Sequence, residues 1–204
     1  MLHLLDDAIE NYLRAEVPLS GADVDLVFQR PDKEWGAAVT RPTVNIFLWD
    51  VRRNSGAQEA GIETVEENGK LVRRQPQPRV DCRYMVTAWA GDVRDEHQLL
   101  GAVLGAFLRH SEMLPIHLTG PLATVRPYPS IQVPRFDGSD TADFWTAVGG
   151  ELRPAIDVII SATFDAAALS EAGPPIRRLE LVAERTNTPQ ARETRVREAP
   201  APVE

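Results

Sequence analysis

Asp92, Asp95, Glu96 and His97 gather three carboxylates and an imidazole within six consecutive positions of the chain. Metal sites and general acid/base pairs are built from groups of this kind. On a helix, a further ligand would have to follow one turn later on the same face, and positions 100 and 101 are Leu and Gly. His110 lies a full helix length beyond His97, too far along the axis to share an ion with it.

The flanking pattern gives these residues a structural task instead. Val80, Cys82, Tyr84, Val86 and Ala88 alternate along one face of a strand, with Met85 and Trp89 on the other. The period then changes: Leu99, Leu100, Val103, Leu104, Phe107 and Leu108 recur at helical spacing. A helix beginning near Val93 leaves its first backbone N–H groups without partners, and the Asp92 side chain is placed to accept from them. Asp95 and Glu96 then occupy the first turn, where the helix dipole favours negative charge. The cluster is therefore expected to be a helix start capped by Asp92, Asp95 and Glu96. A small cytoplasmic enzyme or metal-binding domain using Asp92, Asp95, Glu96 and His97 stands as the alternative.

Elsewhere the chemistry-bearing patterns are missing. No Gly-rich phosphate loop of either common spacing occurs, and no serine lies in G-x-S-x-G. Cys82 is the single cysteine, so no disulfide framework or cysteine zinc site is available, and its mid-strand position reads as a small core residue. Neither a catalytic residue nor a cofactor or metal is expected. The net charge of −8, with arginine pairs such as Arg52-Arg53, Arg73-Arg74 and Arg177-Arg178 only scattered, argues against a nucleic-acid surface. No signal peptide pattern opens the chain, and no run of about 18 apolar residues provides a membrane span. These features place the chain in the cytoplasm when it is made, without membrane insertion.

The elements that would position such residues follow from periodicity. Leu2, Leu5, Ala8, Ile9, Tyr12 and Leu13 predict an amphipathic first helix that Pro18 ends. Residues 24–28 predict a short strand, and the PDKEWG stretch a polar connection carrying Trp35. Residues 43–51 predict a central strand, with Val44, Ile46 and Leu48 on one face and Phe47, Trp49 and Val51 on the other. After the long helix, residues 122–126 and 130–133 are possible edge strands between prolines, and His117 reads as a packed or partly exposed side chain without a partner. Residues 141–148 predict a short helix capped by Asp140 or Ser139 and stopped by Gly149-Gly150. Residues 155–164 predict a last strong strand, and Leu179, Leu181 and Ala183 alternate in one more.

Two segments fit less easily into a core. Asn68-Gly69 predicts a tight hairpin turn between residues 63–66 and 70–73. The hairpin arms are too charged to bury much, so they either project into solvent or are completed by another chain. From residue 186 onward large apolar residues are almost absent and prolines recur, which predicts a flexible tail. The expected architecture is thus α/β (α+β): one domain over residues 1–185 with a central mixed sheet, two main helices and a projecting hairpin excursion at residues 54–78, followed by a flexible tail at 186–204.

Three stretches in this order, TVNIFLWDVRRN, RVDCRYMVTAWAGDVRDEHQLLGAVLGAFLRH and ADFWTAVGGELRPAIDVIIS, resemble the cap, or tail-terminator, proteins of extracellular contractile injection systems. The likeness covers roughly residues 1–165. It implies a structural protein, not an enzyme, assembling as a homo-hexameric ring at the distal end of the inner tube. There it would end tube growth and join the last sheath layer, with the inner tube subunit and the sheath subunit as partners. A head-to-tail ring needs lateral surfaces, and the two incompletely buried segments offer them: Ile62, Val65, Leu71, Arg73 and Arg74 on the hairpin, and Leu179 and Leu181 near the C-terminus. A monomeric adaptor binding through the tail from residue 186 is a further alternative.

Overall fold

The structure, a computed structural model, describes residues 1–17, 24–56, 63–67, 70–74, 76–134, 139–166, 169–171, 178–184 and 192–198. In chain order its elements are α1 (Leu2–Glu16), β1 (Asp25–Val27), α2 (Lys33–Ala38), β2 (Thr43–Arg53), β3 (Glu63–Glu67), β4 (Lys70–Arg74), β5 (Arg79–Trp89) and α3 (Val93–Arg109). After a 3-10 turn at Pro115–His117 come α4 (Pro121–Thr124), β6 (Ser130–Gln132), α5 (Ser139–Val148), β7 (Ala155–Thr163), β8 (Leu169–Glu171), β9 (Arg178–Glu184) and β10 (Arg192–Glu198). The chain divides into two compact units, Met1–Gly61 with Pro76–Ala167, and Ile62–Gln75 with Ala168–Glu204.

The first unit is α+β, as expected. Its mixed five-stranded sheet has the order β1-β2-β5-β7-β6, with β1 parallel to β2 and the other pairs antiparallel. Alternation decides which side of each strand enters which core. Val44, Ile46, Cys82, Tyr84, Val86, Val158, Ile160 and Ala162 pack under α1 and α3. On the opposite side Met85, with Phe47, Trp49 and Ala155 beside it, packs against Phe144, Trp145 and Val148 of α5. Leu5, Ala8, Ile9, Tyr12 and Leu13 of α1 are fully buried, which stabilises the layer by about 1.5–3 kcal/mol for each of the larger side chains. Leu108, counted in the α3 stripe by spacing, is exposed; a residue next to Phe107 is turned about 100° around the axis, off the buried face.

Polar links tie the layers. Tyr12 donates to the Ala106 carbonyl at 2.6 Å, joining α1 to α3, and Tyr84 donates to Asp6 at 3.0 Å, joining the sheet to α1. Burial raises the pKa of all three groups, pushing the Tyr12 phenol up to about 12. Asn45 exchanges two hydrogen bonds of 2.9 Å with the backbone of Gln29, which continues the β1–β2 pairing where β1 stops.

Three local expectations are corrected. The PDKEWG connection is helix α2, because the Asp32 side chain accepts from the Trp35 N–H at 2.8 Å and so caps a turn that apolar periodicity is too short to reveal. Trp35 there meets Trp89 edge-on at 5.0 Å, and Gly36 sits so close to the Trp89 ring that a Cβ would lie 2.5 Å from it. Residues 121–124 form helix α4 rather than an edge strand, with Pro121 in the first turn. α5 starts at Ser139, so the two residues read as its caps are its first helical residues.

The second unit holds a three-stranded sheet of order β3-β4-β8 and a two-stranded sheet β10-β9. β3 and β4 are the hairpin expected around Asn68-Gly69, although the turn itself lies outside the described residues. Residues 192–198 were expected to be flexible tail and instead form β10, antiparallel to β9. A ladder is made by backbone groups, so a segment poor in apolar side chains can still join one. Residues 186–191 and 199–204 of the expected tail lie outside the described residues.

Candidate assembly surfaces

The Asp92 cluster is the start of α3. The Asp92 side chain accepts from the Arg94 N–H at 2.7 Å, and Glu96 reaches back to accept from the Ala90 N–H at 3.2 Å. Glu96 also pairs with Arg153 at 3.2 Å, and the Arg153 guanidinium lies 3.3 Å from the centroid of the Trp89 ring while donating to the Ala88 carbonyl. Glu96 thereby fastens the helix start to the end of β5 and to the approach of β7. Asp95 and His97 are exposed. Among the described residues no group of three or more His, Cys, Asp or Glu is arranged to hold a metal. The structure therefore brings Asp92 and Glu96 together as caps and leaves His97 outside.

Two buried polar residues, Arg79 and Asp157, hold strands of the sheet together. Arg79 at the first position of β5 donates to the carbonyls of Ser161, Pro127 and Tyr128 and to the hydroxyls of Thr163 and Ser130. It is nearly buried, and burial lowers its pKa. Sequence spacing does not reveal this role, since the five acceptors come from segments far along the chain. Asp157 on β7 is buried and pairs with Arg83 on β5 at 2.6 Å, with Arg83 also 4.6 Å over the Trp49 ring.

Beside that pair is an open cleft of about 750 Å³, lined by Arg30, Phe47, Trp49, Arg83, Phe144 and Val148 among others. Arg30 donates to the Val148 and Ala147 carbonyls at 3.2 Å, closing the C-terminal end of α5. This is the mouth of the smaller core, with Arg30 and Arg83 already used in structural hydrogen bonds. Cys82 is buried with its thiol pushed up to about 12, so it is no nucleophile.

The residues expected at a subunit interface fall in the second unit, in two separate sheets. Val65 on β3 stands opposite Val72, Leu71 opposite Glu66, and Arg73 and Arg74 opposite Thr64 and Glu63. On its other side β4 meets β8, with Arg73 opposite Ser170 and Arg74 opposite Leu169. Leu179 and Leu181 on β9 stand opposite Arg197 and Arg195 of β10. Ile62 lies outside the described residues. Among the described residues the outer edges of β3, β8, β9 and β10 carry no further strand. Such edges are where chains pair with other chains unless charge or cover prevents it. Sequence alternation found β9; β8 is too short and β10 too charged for alternation to signal them.

The comparisons with known proteins bear on this arrangement. The family described as the Pvc16 N-terminal domain matches residues 4–178. Two solved structures are similar in fold. The sheath/tube terminator of the extracellular contractile injection system PVC, in its extended state, has a TM-score of 0.64 and 18% identity, covering 93% of this chain and 66% of that one. The tube-terminating cap of the anti-feeding prophage has a TM-score of 0.59 and 17% identity, covering 84% of this chain and 58% of that one. The chain thus spans less than two thirds of the length of either. No curated protein matches it. No helix among the described residues is long and apolar enough to cross a membrane. Since the family match covers residues 4–178, well over half of the chain, the chain belongs to the Pvc16 N-terminal domain family.

Proposed function

We propose that this chain is a structural cap: it forms a homo-hexameric ring on the distal end of the inner tube of a contractile injection particle, ends tube growth and joins the last sheath layer. The observation that carries the proposal is the fold likeness to a sheath/tube terminator over 93% of the chain, together with the family match. The physical form suits the task. A ring subunit requires a rigid body and complementary lateral surfaces, because a head-to-tail contact repeated around an axis closes a ring. The five-stranded sheet between α1/α3 and α5 supplies the rigid body. The open-edged small sheets containing Val65, Leu71, Arg73, Arg74, Leu179 and Leu181 supply lateral surfaces.

No catalytic step enters this function, and no cofactor is called for. The chain is made in the cytoplasm and leaves it as part of the particle. The test is the length distribution of particles from cells with and without the gene, by negative-stain electron microscopy. Loss of the gene is expected to give overlong tubes of broad length distribution, or tubes without sheath. Particles of unchanged length and sheathing refute the proposal.

A further inference from the structure

β3 and β10 are outermost strands of two sheets that one chain keeps apart. β3 pairs with β4 and β10 with β9, and among the described residues the far edge of each is open. A two-stranded sheet is only marginally stable by itself, so the β9–β10 pair gains from a further strand. The two edges also differ in charge. β3 reads ETVEE, with three carboxylates and no cation, whereas β10 reads RETRVRE, with three arginines against two glutamates.

Register sharpens the difference. Within the β3–β4 hairpin Glu63 stands opposite Arg74 and Glu67 opposite Lys70, but Glu66 stands opposite Leu71. Within the β9–β10 pair Arg192 stands opposite Glu184 and Glu198 opposite Arg178, but Arg195 and Arg197 stand opposite Leu181 and Leu179. Each outer strand therefore carries charge that its own partner strand does not match, negative on β3 and mainly positive on β10. Opposite charges across a strand pair stabilise it by roughly 0.2–1 kcal/mol each, and like charges oppose it. Two β3 edges repel, as do the arginines of two β10 edges, whereas β3 against β10 is attractive.

We propose that β3 of one copy adds to the open edge of β10 in the next, giving an intermolecular sheet of order β9-β10-β3-β4-β8. This deepens the ring proposed above and rests on it. Of the four open edges only β10 has an excess of arginine, and β3 is the most acidic, so the contact is heterologous and repeats around a ring, whereas β3–β3 or β10–β10 pairing would stop at a dimer. Charge also selects the partner edge during encounter.

The test reverses one edge at a time in the full-length chain, choosing residues that leave each strand pair's own opposite charges in place: Glu66→Arg on β3, and Arg195→Glu with Arg197→Glu on β10. Native mass spectrometry reads the oligomer. Each variant alone is expected to associate at least tenfold more weakly than the unmodified chain, with the thermal unfolding of the first unit unchanged. An equimolar mixture is expected to regain an oligomer with both variants in equal number, because each supplies the edge that the other needs. Variants that assemble like the unmodified chain, or a mixture that stays monomeric, overturn the strand pairing. An unmodified chain that is monomeric in solution, with both variants entering particles as well as it does, overturns it too. Particle length in the gene deletion judges the cap function separately: if length is unchanged while the mixture still rescues assembly, the cap reading fails and the edge pairing stands.

Discussion

Replacing Arg79 by Met removes a cation that serves five acceptors while keeping most of the apolar stem. The acceptors are the Ser161 carbonyl at 2.9 Å, Thr163 Oγ1 at 3.0 Å, the Pro127 carbonyl at 3.1 Å, and the Tyr128 carbonyl and Ser130 Oγ at 3.4 Å. Hydrogen bonds to a charged group are worth ~1.5–3 kcal/mol each. Bonds that share one donor group do not add. Counting the two shortest, and crediting methionine with the packing of the lost stem, leaves a cost of about 3–4 kcal/mol. In a protein of this size ~1 kcal/mol moves Tm by ~2–4 °C, so the first unit should melt about 6–16 °C lower. Scanning calorimetry of Arg79→Met beside Arg79→Lys measures it. The lysine variant should recover less than half of the loss, because a single ammonium cannot span acceptors on β6, on β7 and in the loop before β6. A fall below about 2 °C, or full recovery by lysine, refutes the view that Arg79 is the fastener of the β5 start to the β7 end.

Two other predictions concern the residues that first suggested chemistry. Asp92→Ala should cost ~1 kcal/mol, seen as a Tm lowered by ~2–4 °C, with particle length unaltered, whereas His97→Ala should change neither; stoichiometric metal in the purified protein that His97→Ala abolishes would sink the helix-cap account. The Cys82 thiol, raised to about 12 chiefly by burial, should react with iodoacetamide at pH 8 roughly a thousandfold more slowly in the native protein than in guanidinium, since each unit of pKa removes about nine tenths of the remaining thiolate. Native labelling within tenfold of the unfolded rate would contradict the buried placement.

Much of the first unit was legible in the sequence because its signals are periodic. The alternation of Val80, Cys82, Tyr84 and Val86, and of Val44, Ile46 and Leu48, assigned those residues to their face correctly. Val51, by contrast, expected beside Phe47 and Trp49, is exposed and stands opposite Cys82, because a β-bulge after Leu48 shifts the register. The helix start at Asp92 was legible for a different reason: caps act between near neighbours, so type and spacing suffice. The short helices α2 and α4 were not legible, being shorter than the window over which a helical period can be recognised.

By itself the sequence determined the elements whose cause is local: α1 and α3 with their apolar faces, the core strands, the hairpin around Asn68-Gly69, and the charge pattern that leaves that hairpin without a core of its own. Only the tertiary structure decided which segments meet. It set the order β1-β2-β5-β7-β6, gathered five acceptors around Arg79, tied Glu96 to Arg153, and made a strand of residues 192–198. These pairings join residues far apart in the chain, where loop closure is repaid only when many contacts form together. Backbone alone does not decide which strands of the chain pair with one another, because every strand edge presents the same N–H and C=O groups.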